Sequence, residues 1–429
     1  MDFKVVHLSI SDINGGAAIA ALRIHNAQLK TGIDSKLLVQ SKLSDNSNVI
    51  SLVQTPFDKI KRYIRVFIDK LTFKTLSLSK RERFTFPNFG MDLSNNDLVR
   101  EADVINLHWI NEGFLSLKSI LLLAALKKPL VFTLHDMWAF TGGCHYNHGC
   151  EKFVNNCGNC PALKFRKEND LSRKIYYMKS KAYKDLNFSV ITSSNWLNSE
   201  AKKSALFYNK KIRTIPTPIN TEIFKPNEKL NSCKELNLPL DKNLILFSAM
   251  ELTNERKGFR YLISALKIIS KYHPEYLKNT NIVILGLTGG MDLSEIPFQV
   301  HIFGKITNEN KLVDCYNAAD IYVTPSLQDN LPNTVIESLS CGTPVVAFYT
   351  GGMPDMIEHL ENGYLAELKS SKDLAAGMIT LLSDTKELLK MKEKCRDTAL
   401  EKFNEETIAN QYSAYYKELL AEQTNAPNP

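Results

Sequence analysis

The sequence predicts an α/β protein made of two doubly wound parallel-sheet domains. Three observations carry that expectation. Strand-like and helix-like segments alternate along the chain, the alternation breaks once near the middle and then restarts, and 429 residues exceed what one ordinary hydrophobic core accommodates. With 44% hydrophobic and 23% charged residues, the composition is that of a packed domain rather than a low-complexity chain. The excess of 53 Lys and Arg over 46 Asp and Glu, a net charge of +7, suits anionic ligands or an anionic surface; no recognition motif for nucleic acid accompanies it.

In chain order, FKVVHLS reads as the first strand. The helix-like AAIAALRIHNAQLKT follows it and stops at Gly32, and SKLLVQ is the next strand. DVINLHW, PLVFTLHD, FSVITSS and KIRTIP continue the set, most of them separated by segments of helical period. Proline and polar residues then replace the pattern in IPTPINTEIFKPNEKLN, from Ile215 to Asn231, as expected of an interdomain linker. The alternation restarts with NLILFSAM, the helix FRYLISALKIISKY, NIVILG, FQVHIFG, the helix NKLVDCYNAA, DIYVTPS, a helix holding Glu337, and PVVAFY. The expected domains are 1–217 and 218–404. A final helical stretch, 405–422, carries Tyr412, Tyr415 and Tyr416, which suit either packing back on the first domain or a surface helix.

Ligands of such folds sit at the carboxyl ends of the strands. DIYVTPS ends at such an edge, and Asn330-Leu331-Pro332-Asn333 turns from it into TVIESLS, with Asn333 as the expected helix cap and Gly342 past the end. The amide groups and dipole at the start of that helix, from Asn333 and Thr334, favour a phosphate. Glu337, one turn in, would accept hydrogen bonds from vicinal hydroxyls such as those of a ribose. Asp329 would accept from a sugar across the phosphates. Arg256 and Lys257, in ERKG before the helix FRYLISAL, supply cationic hydrogen bonds for a diphosphate. Gly15 and Gly16 follow the first strand and let the backbone approach a ligand. His135 ends the strand VFTLHD, and His108 also ends a strand, in NLHW.

SLQDNLPNTVIESLSCGTPVVAF resembles the signature of the retaining glycosyltransferases of family 4, and the resemblance runs over nearly the whole chain. DINGGAA is similar to the family's glycine-rich loop, IPTPINTEIFKP to the segment opening its second domain, and ERKGFRYLISAL to its Lys-Gly element. The resemblance implies the GT-B fold, in which two Rossmann-like domains face a central cleft. It also implies that Asp329 and Glu337 hold the donor sugar nucleotide and that His135 faces the transferred sugar. Two departures stand out: the first acid is Asp329, where the family commonly has Glu, and AMEL (Ala249 to Leu252) replaces a Gly-Arg-Leu, so that Arg256 is the expected substitute for its Arg.

The expected activity is transfer of a hexose, with retention, from a UDP- or GDP-linked sugar to a glycan or lipid-linked acceptor in surface-polysaccharide synthesis. The leaving phosphate would take the acceptor's proton, no cofactor is required for catalysis, and His135, Asp329 and Glu337 position the substrates. A sugar-nucleotide epimerase of the same architecture, or a sugar-nucleotide-binding scaffold without catalysis, would share these motifs.

Shortly after His135, from Thr141, the chain reads TGGCHYNHGCEKFVNNCGNCPALKF. Its four cysteines, Cys144, Cys150, Cys157 and Cys160, are spaced C-x5-C-x6-C-x2-C; four thiolates suit one structural zinc ion, the CxxC-Pro end being the strongest part and the first spacings looser than in common zinc knuckles, with reduced thiols and disulfides as alternatives. Cys233, Cys315, Cys341 and Cys395 are scattered and read as packing residues. From Lys59 to Arg83, nine Lys and Arg against two acids interleave with Tyr63, Phe67, Leu71 and Phe73. That pattern fits either a helix packed on its apolar side or an interfacial helix drawn to anionic lipid. No hydrophobic run reaches the 18 residues of a spanning helix, and the apolar part of MDFKVVHLSISD is too short for a signal peptide. The expected location is cytoplasmic, with peripheral attachment to the inner face of the plasma membrane a further option.

Overall fold

The computed structural model describes residues 3–76 and 84–424. It divides into two compact units, one running to Pro218 and resuming at Glu405, the other spanning Ile219–Asn404. Among the described residues the first unit holds seven strands: β1 (Lys4–Ser11), β2 (Asp34–Ser41), β3 (Val49–Ser51), β4 (Val104–Leu107), β5 (Leu130–Leu134), β6 (Ser189–Thr192) and β7 (Lys211–Thr214). All pair in parallel, in the order β3-β2-β1-β4-β5-β6-β7. The chain therefore winds outward from β1 to one edge, then returns and winds to the other, and the reversal falls between β1 and β4.

The second unit repeats the plan with β8 (Asn243–Glu251), β9 (Thr280–Leu287), β10 (Gln299–Gly304), β11 (Ile321–Thr324), β12 (Val345–Phe348) and β13 (Gly363–Ala366), ordered β10-β9-β8-β11-β12-β13. Here the reversal lies between β8 and β11. Alternate residues of single strands enter different cores: Leu244 and Leu246 face one helical layer, Ile245 and Phe247 the other. Burial on both faces explains why these strands read as unbroken apolar runs.

Three local outcomes differ from the sequence reading. β3 and β13, of three and four residues, were not anticipated, because so short a run carries no periodic signal. The expected linker is structured from Ile219 onward. Arg396 donates to the carbonyls of Phe224 (2.8 Å) and Thr221 (2.9 Å), and Ile219 N donates to Phe403 O, which fixes the segment to the second unit. The helix Asn333–Ser340 is capped by Pro332, with no side-chain hydrogen bond, so Asn333 is its first helical residue and not its cap. Proline fits there because its fixed φ prepares the turn.

The helix Glu405–Thr424 belongs to the first unit. Ile408, Tyr412, Tyr415, Tyr416 and Leu419 form one stripe at helical spacing and pack with Phe3, Val5, Ile24 and Val131. Asn106 Nδ2 donates to Tyr416 Oη at 2.6 Å, and Arg213 pairs with Glu418 at 2.7 Å.

The helix Pro56–Leu76 covers the described part of the basic segment; residues 77–83 of that segment lie outside the described residues. Its docked side is polar. Arg65 donates to Gly113 O (2.9 Å) and Gln40 Oε1 (3.0 Å), and Asp69 is buried. Its apolar side is exposed: Phe57, Ile60, Tyr63, Ile64 and Phe67 are each at least half accessible. The reading of a helix packed on its apolar side is therefore reversed. Among the described residues, no helix is long and apolar enough to cross a membrane.

Candidate functional site

In the second unit, the loops after the neighbouring strands β8 and β11 meet. After β8 the chain makes a short 3-10 turn, Glu255–Lys257, and then Gly258 at φ +70° opens the helix Phe259–Tyr272. A Cβ on Gly258 would lie 1.8 Å from the carbonyl oxygen of Pro325, so only glycine permits this approach. Leu327 N donates to Arg256 O at 2.7 Å and joins the two loops through their backbones.

That junction brings together three of the expected residues. Lys257 Nζ lies 2.6 Å and Arg256 Nη1 3.0 Å from Asp329 Oδ2. Arg256 Nη1 also donates to Gln328 O (2.7 Å), and Asn330 N donates to Asp329 Oδ1 (3.2 Å). Two cations on one carboxylate leave this trio with a net positive charge at the start of the helix Asn333–Ser340. Asn330 and Leu331 are buried in the turn leading into that helix. Asp329 is thus an anchor for the two cations, a role the sequence reading did not assign.

Burial alone would raise the Asp329 carboxyl, but Arg256 and then Lys257 outweigh it and hold the group well below the usual carboxylate range. Lys257 is lowered in turn, because its burial outweighs the attraction of Asp329. Glu337 is buried, and Tyr316 Oη donates to its Oε2 at 2.9 Å. Tyr316 stays a phenol: burial first, and then Glu337, push its pKa well above the ordinary value. It orients the carboxylate through one oxygen, and nothing in the sequence marks it as a partner across 21 positions.

The first unit brings its own polar groups together at the ends of β1, β4 and β5, which are adjacent in the sheet. His135 follows β5. His108 follows β4, and its Nδ1 lies 3.1 Å from His135 Nε2. The next residue, Asp136, is held on three sides: Oδ2 accepts from Trp109 Nε1 (2.9 Å) and His145 Nδ1 (2.6 Å), and Oδ1 from Trp138 N (2.9 Å). His108, Trp109, Asn111, His135 and Asp136 line one small pocket, and Asn111 Oδ1 is buried with no hydrogen-bond partner among the described residues. Gly15 adopts φ +101° at the start of the helix Gly16–Lys30, with open space where a Cβ would stand.

All four clustered cysteines, Cys144, Cys150, Cys157 and Cys160, line a second pocket, together with Phe84, Gly142 and Gly158. His145 is taken by Asp136 and by Thr85 Oγ1 (2.9 Å), so the metal-ligating side chains on this pocket are thiols alone. As placed, no three candidate ligands among the described residues are close enough to hold a metal ion. Nearby, Lys179 is fully buried, with its ammonium 3.7 Å over the Trp138 ring and donating to Trp138 O and Thr141 O.

The ion trio generates a stability prediction. A depressed carboxylate pKa contributes stability that is complete above the unfolded-state value and is lost as pH falls through the folded-state value. Asp329→Asn leaves two partly exposed cations without their buried counter-charge and should destabilise the protein by about 1–3 kcal/mol at pH 7. The deficit relative to the parent should narrow as pH falls below the usual carboxylate range. Urea unfolding at pH 7 and at pH 4 or below checks both; equal stability of the two proteins at pH 7 would rule out this ion pairing.

Residues 229–398 match the family model described as glycosyl transferases group 1. An uncharacterized glycosyltransferase of Methanocaldococcus jannaschii is 26% identical over 353 residues, covering 76% of this chain and 87% of that protein. A putative colanic acid biosynthesis glycosyl transferase, WcaC, of Escherichia coli K12 is 21% identical over 385 residues, covering 83% and 85%. Among solved structures, HepE of Anabaena in complex with UDP-glucose superposes with a TM-score of 0.63 at 16% identity, over 97% of this chain and all of that one, a likeness of fold. The second unit thus matches the glycosyl transferases group 1 model over most of its length, and the two parallel α/β sheets are those of the GT-B fold.

Proposed function

We propose that this protein is a retaining glycosyltransferase that moves a hexose from a UDP- or GDP-linked sugar to a glycan or lipid-linked acceptor in surface-polysaccharide synthesis. The observation that carries the reading is the placement of Arg256 and Lys257 on Asp329 where the second sheet reverses its winding. A diphosphate is the anion that suits two adjacent cations beside a helix N-terminus. Glu337, held through Tyr316, accepts from the ribose hydroxyls, and His135 with Asn111 meets hydroxyls of the transferred hexose. The likeness to the colanic acid protein supports a polysaccharide acceptor, and the UDP-glucose in HepE supports a uridine donor.

In the reaction, the bond between the anomeric carbon and the phosphate oxygen breaks while an acceptor oxygen bonds to the same carbon from the same face. The acceptor's proton passes to the departing phosphate oxygen, so the products are a glycoside and a nucleoside diphosphate. Arg256 and Lys257 stabilise the charge that develops on the leaving group.

The exposed apolar stripe of the helix Pro56–Leu76, with Lys59 and Lys61 exposed beside it, supports a place for this chemistry at an anionic lipid surface. The four-thiol pocket supports a structural zinc ion. Tetrathiolate is the donor set zinc prefers in structural sites, and binding would have to draw the sulfurs together from their placed positions.

Three measurements test these readings. In a thermal-shift series, UDP or GDP and its hexose conjugates at millimolar concentration should raise Tm. Glu337→Ala should abolish the shift with the fold intact, and Lys257→Ala should weaken diphosphate binding about tenfold, or about 1.4 kcal/mol. If no nucleotide moves Tm, the donor site is wrongly assigned; loss of donor sugar at full rate without any acceptor would favour an epimerase. In co-sedimentation, the protein should bind phosphatidylglycerol vesicles, and Tyr63→Ser with Phe67→Ser should reduce binding about a hundredfold at intact fold, a loss of about 1.5 kcal/mol for each aromatic side chain. Equal binding to neutral vesicles would sink the lipid reading. Elemental analysis of protein purified without chelator should find about one zinc per chain, lost in Cys157→Ser with Cys160→Ser. A metal-free native preparation with normal stability would remove the zinc proposal.

A further inference from the structure

Behind His135 runs a file of buried imidazoles. His7, in β1, places Nδ1 2.8 Å from His108 Nε2, and His108 places Nδ1 3.1 Å from His135 Nε2. At the other end, His7 Nε2 lies 2.7 Å from Oε1 of Gln28, in the helix Gly16–Lys30. His7 and Gln28 are fully buried and His108 nearly so. The rings of His108 and His135 stack at 5.3 Å, and those of His7 and His108 lie 5.1 Å apart.

Burial disfavours the imidazolium throughout. It takes His7 down to about 3, helped by His25 and opposed by Gln28. It takes His135 down to about 4, opposed by Asp136, and it lowers His108 well below the ordinary value, with His7 and His135 adding to the effect. Three neutral rings carry three ring protons, and each of the two ring-to-ring links needs one. If His7 carries its proton on Nε2, its Nδ1 can only accept, so His108 must donate from Nε2, and His135 must then donate from Nε2 to His108 Nδ1. If His7 carries its proton on Nδ1, the same logic places the proton of every ring on Nδ1. A mixed file would set two protons, or two lone pairs, against each other at about 3 Å.

We propose that His7 and His108 are positioning residues that, with Gln28 at the far end, fix the tautomer of His135 and so decide whether its Nδ1 donates or accepts toward the sugar. With Gln28 Oε1 facing His7, all three rings are Nε2–H and His135 Nδ1 accepts; the reversed amide makes it a donor. The side chain on the helix Gly16–Lys30 thereby sets the hydrogen-bonding sense of a nitrogen three rings away. This inference rests on the reading of His135 as a contact of the transferred hexose.

The test uses the full chain labelled with 15N-histidine. Long-range proton–nitrogen correlation at pH 7, assigned with single His→Gln variants, should show His7, His108 and His135 neutral and in one shared tautomer. One ring differing from the other two, or a protonated ring, overturns the file. Gln28→Leu should shift the tautomer ratio of His135 about tenfold; an unchanged ratio overturns the role of Gln28. In turnover, His108→Phe and His135→Ala should each lower kcat about tenfold with UDP or GDP affinity unchanged, and the double variant should lose no more than the worse single one. Independent, multiplying losses overturn the coupling. Failure of every nucleotide to bind would instead count against the glycosyltransferase reading and leave the spectroscopic result standing.

Discussion

The site in the second unit depends on one backbone contact, the approach of the loop after β8 to the loop after β11. Gly258 lies against the carbonyl of Pro325 at a distance no side chain tolerates, and Leu327 N closes the contact on Arg256 O. Strand order makes the contact available, since β8 and β11 are neighbours only because the sheet reverses between them. Once the backbones are joined, the side chains that leave the junction are constrained. Arg256 and Lys257 have a shared carboxylate within reach, and Asp329 has both cations at one oxygen. The cost of burying the Asp329 carboxylate is offset because it arrives already paired with two partly exposed cations.

The Asp329 trio and the histidine file handle buried polarity in opposite ways. In the trio, charged groups are kept charged: the Asp329 carboxyl is held ionised against its own desolvation by two cations. In the file, the histidines are kept neutral, and burial is the dominant cause for each of His7, His108 and His135. A leaving diphosphate calls for fixed positive charge. A neutral hexose needs directional hydrogen bonds and would gain little from an imidazolium. The contrast matches the division of labour proposed for the two units, and it arises from which strand ends carry cations and which carry rings.

Much of the fold was legible because its strands are buried on both faces and its helices carry a clear apolar period. NLILFSAM, NIVILG and DIYVTPS needed only composition and flanking turns to be recognised. β3 and β13 were not legible, being too short to show a period, and the exposed stripe of the helix Pro56–Leu76 could not be told from a buried one by spacing. At the site, the local features were legible, including the turn into the helix of Glu337 and the Arg-Lys-Gly element. The pairings were not. Lys257 meets Asp329 across 72 positions and His7 meets His108 across 101, and no period or spacing encodes such a distance. His7 in particular reads as one polar residue in an apolar strand, and only the adjacency of β1 and β4 reveals its partner.

AMEL (Ala249 to Leu252), where the resembled family commonly has Gly-Arg-Leu, carries no cation, and the geometry supplies one from elsewhere. A cation in the segment Ala249–Leu252 would leave from the last residues of β8 itself. Here the cations leave from the following 3-10 turn, Glu255–Lys257, which the backbone contact to Leu327 holds against the β11 loop. The shorter acid fits the same logic. Asp329 is close enough to take both cations directly, and its remaining oxygen accepts from the amide of Asn330 at the entrance to the turn.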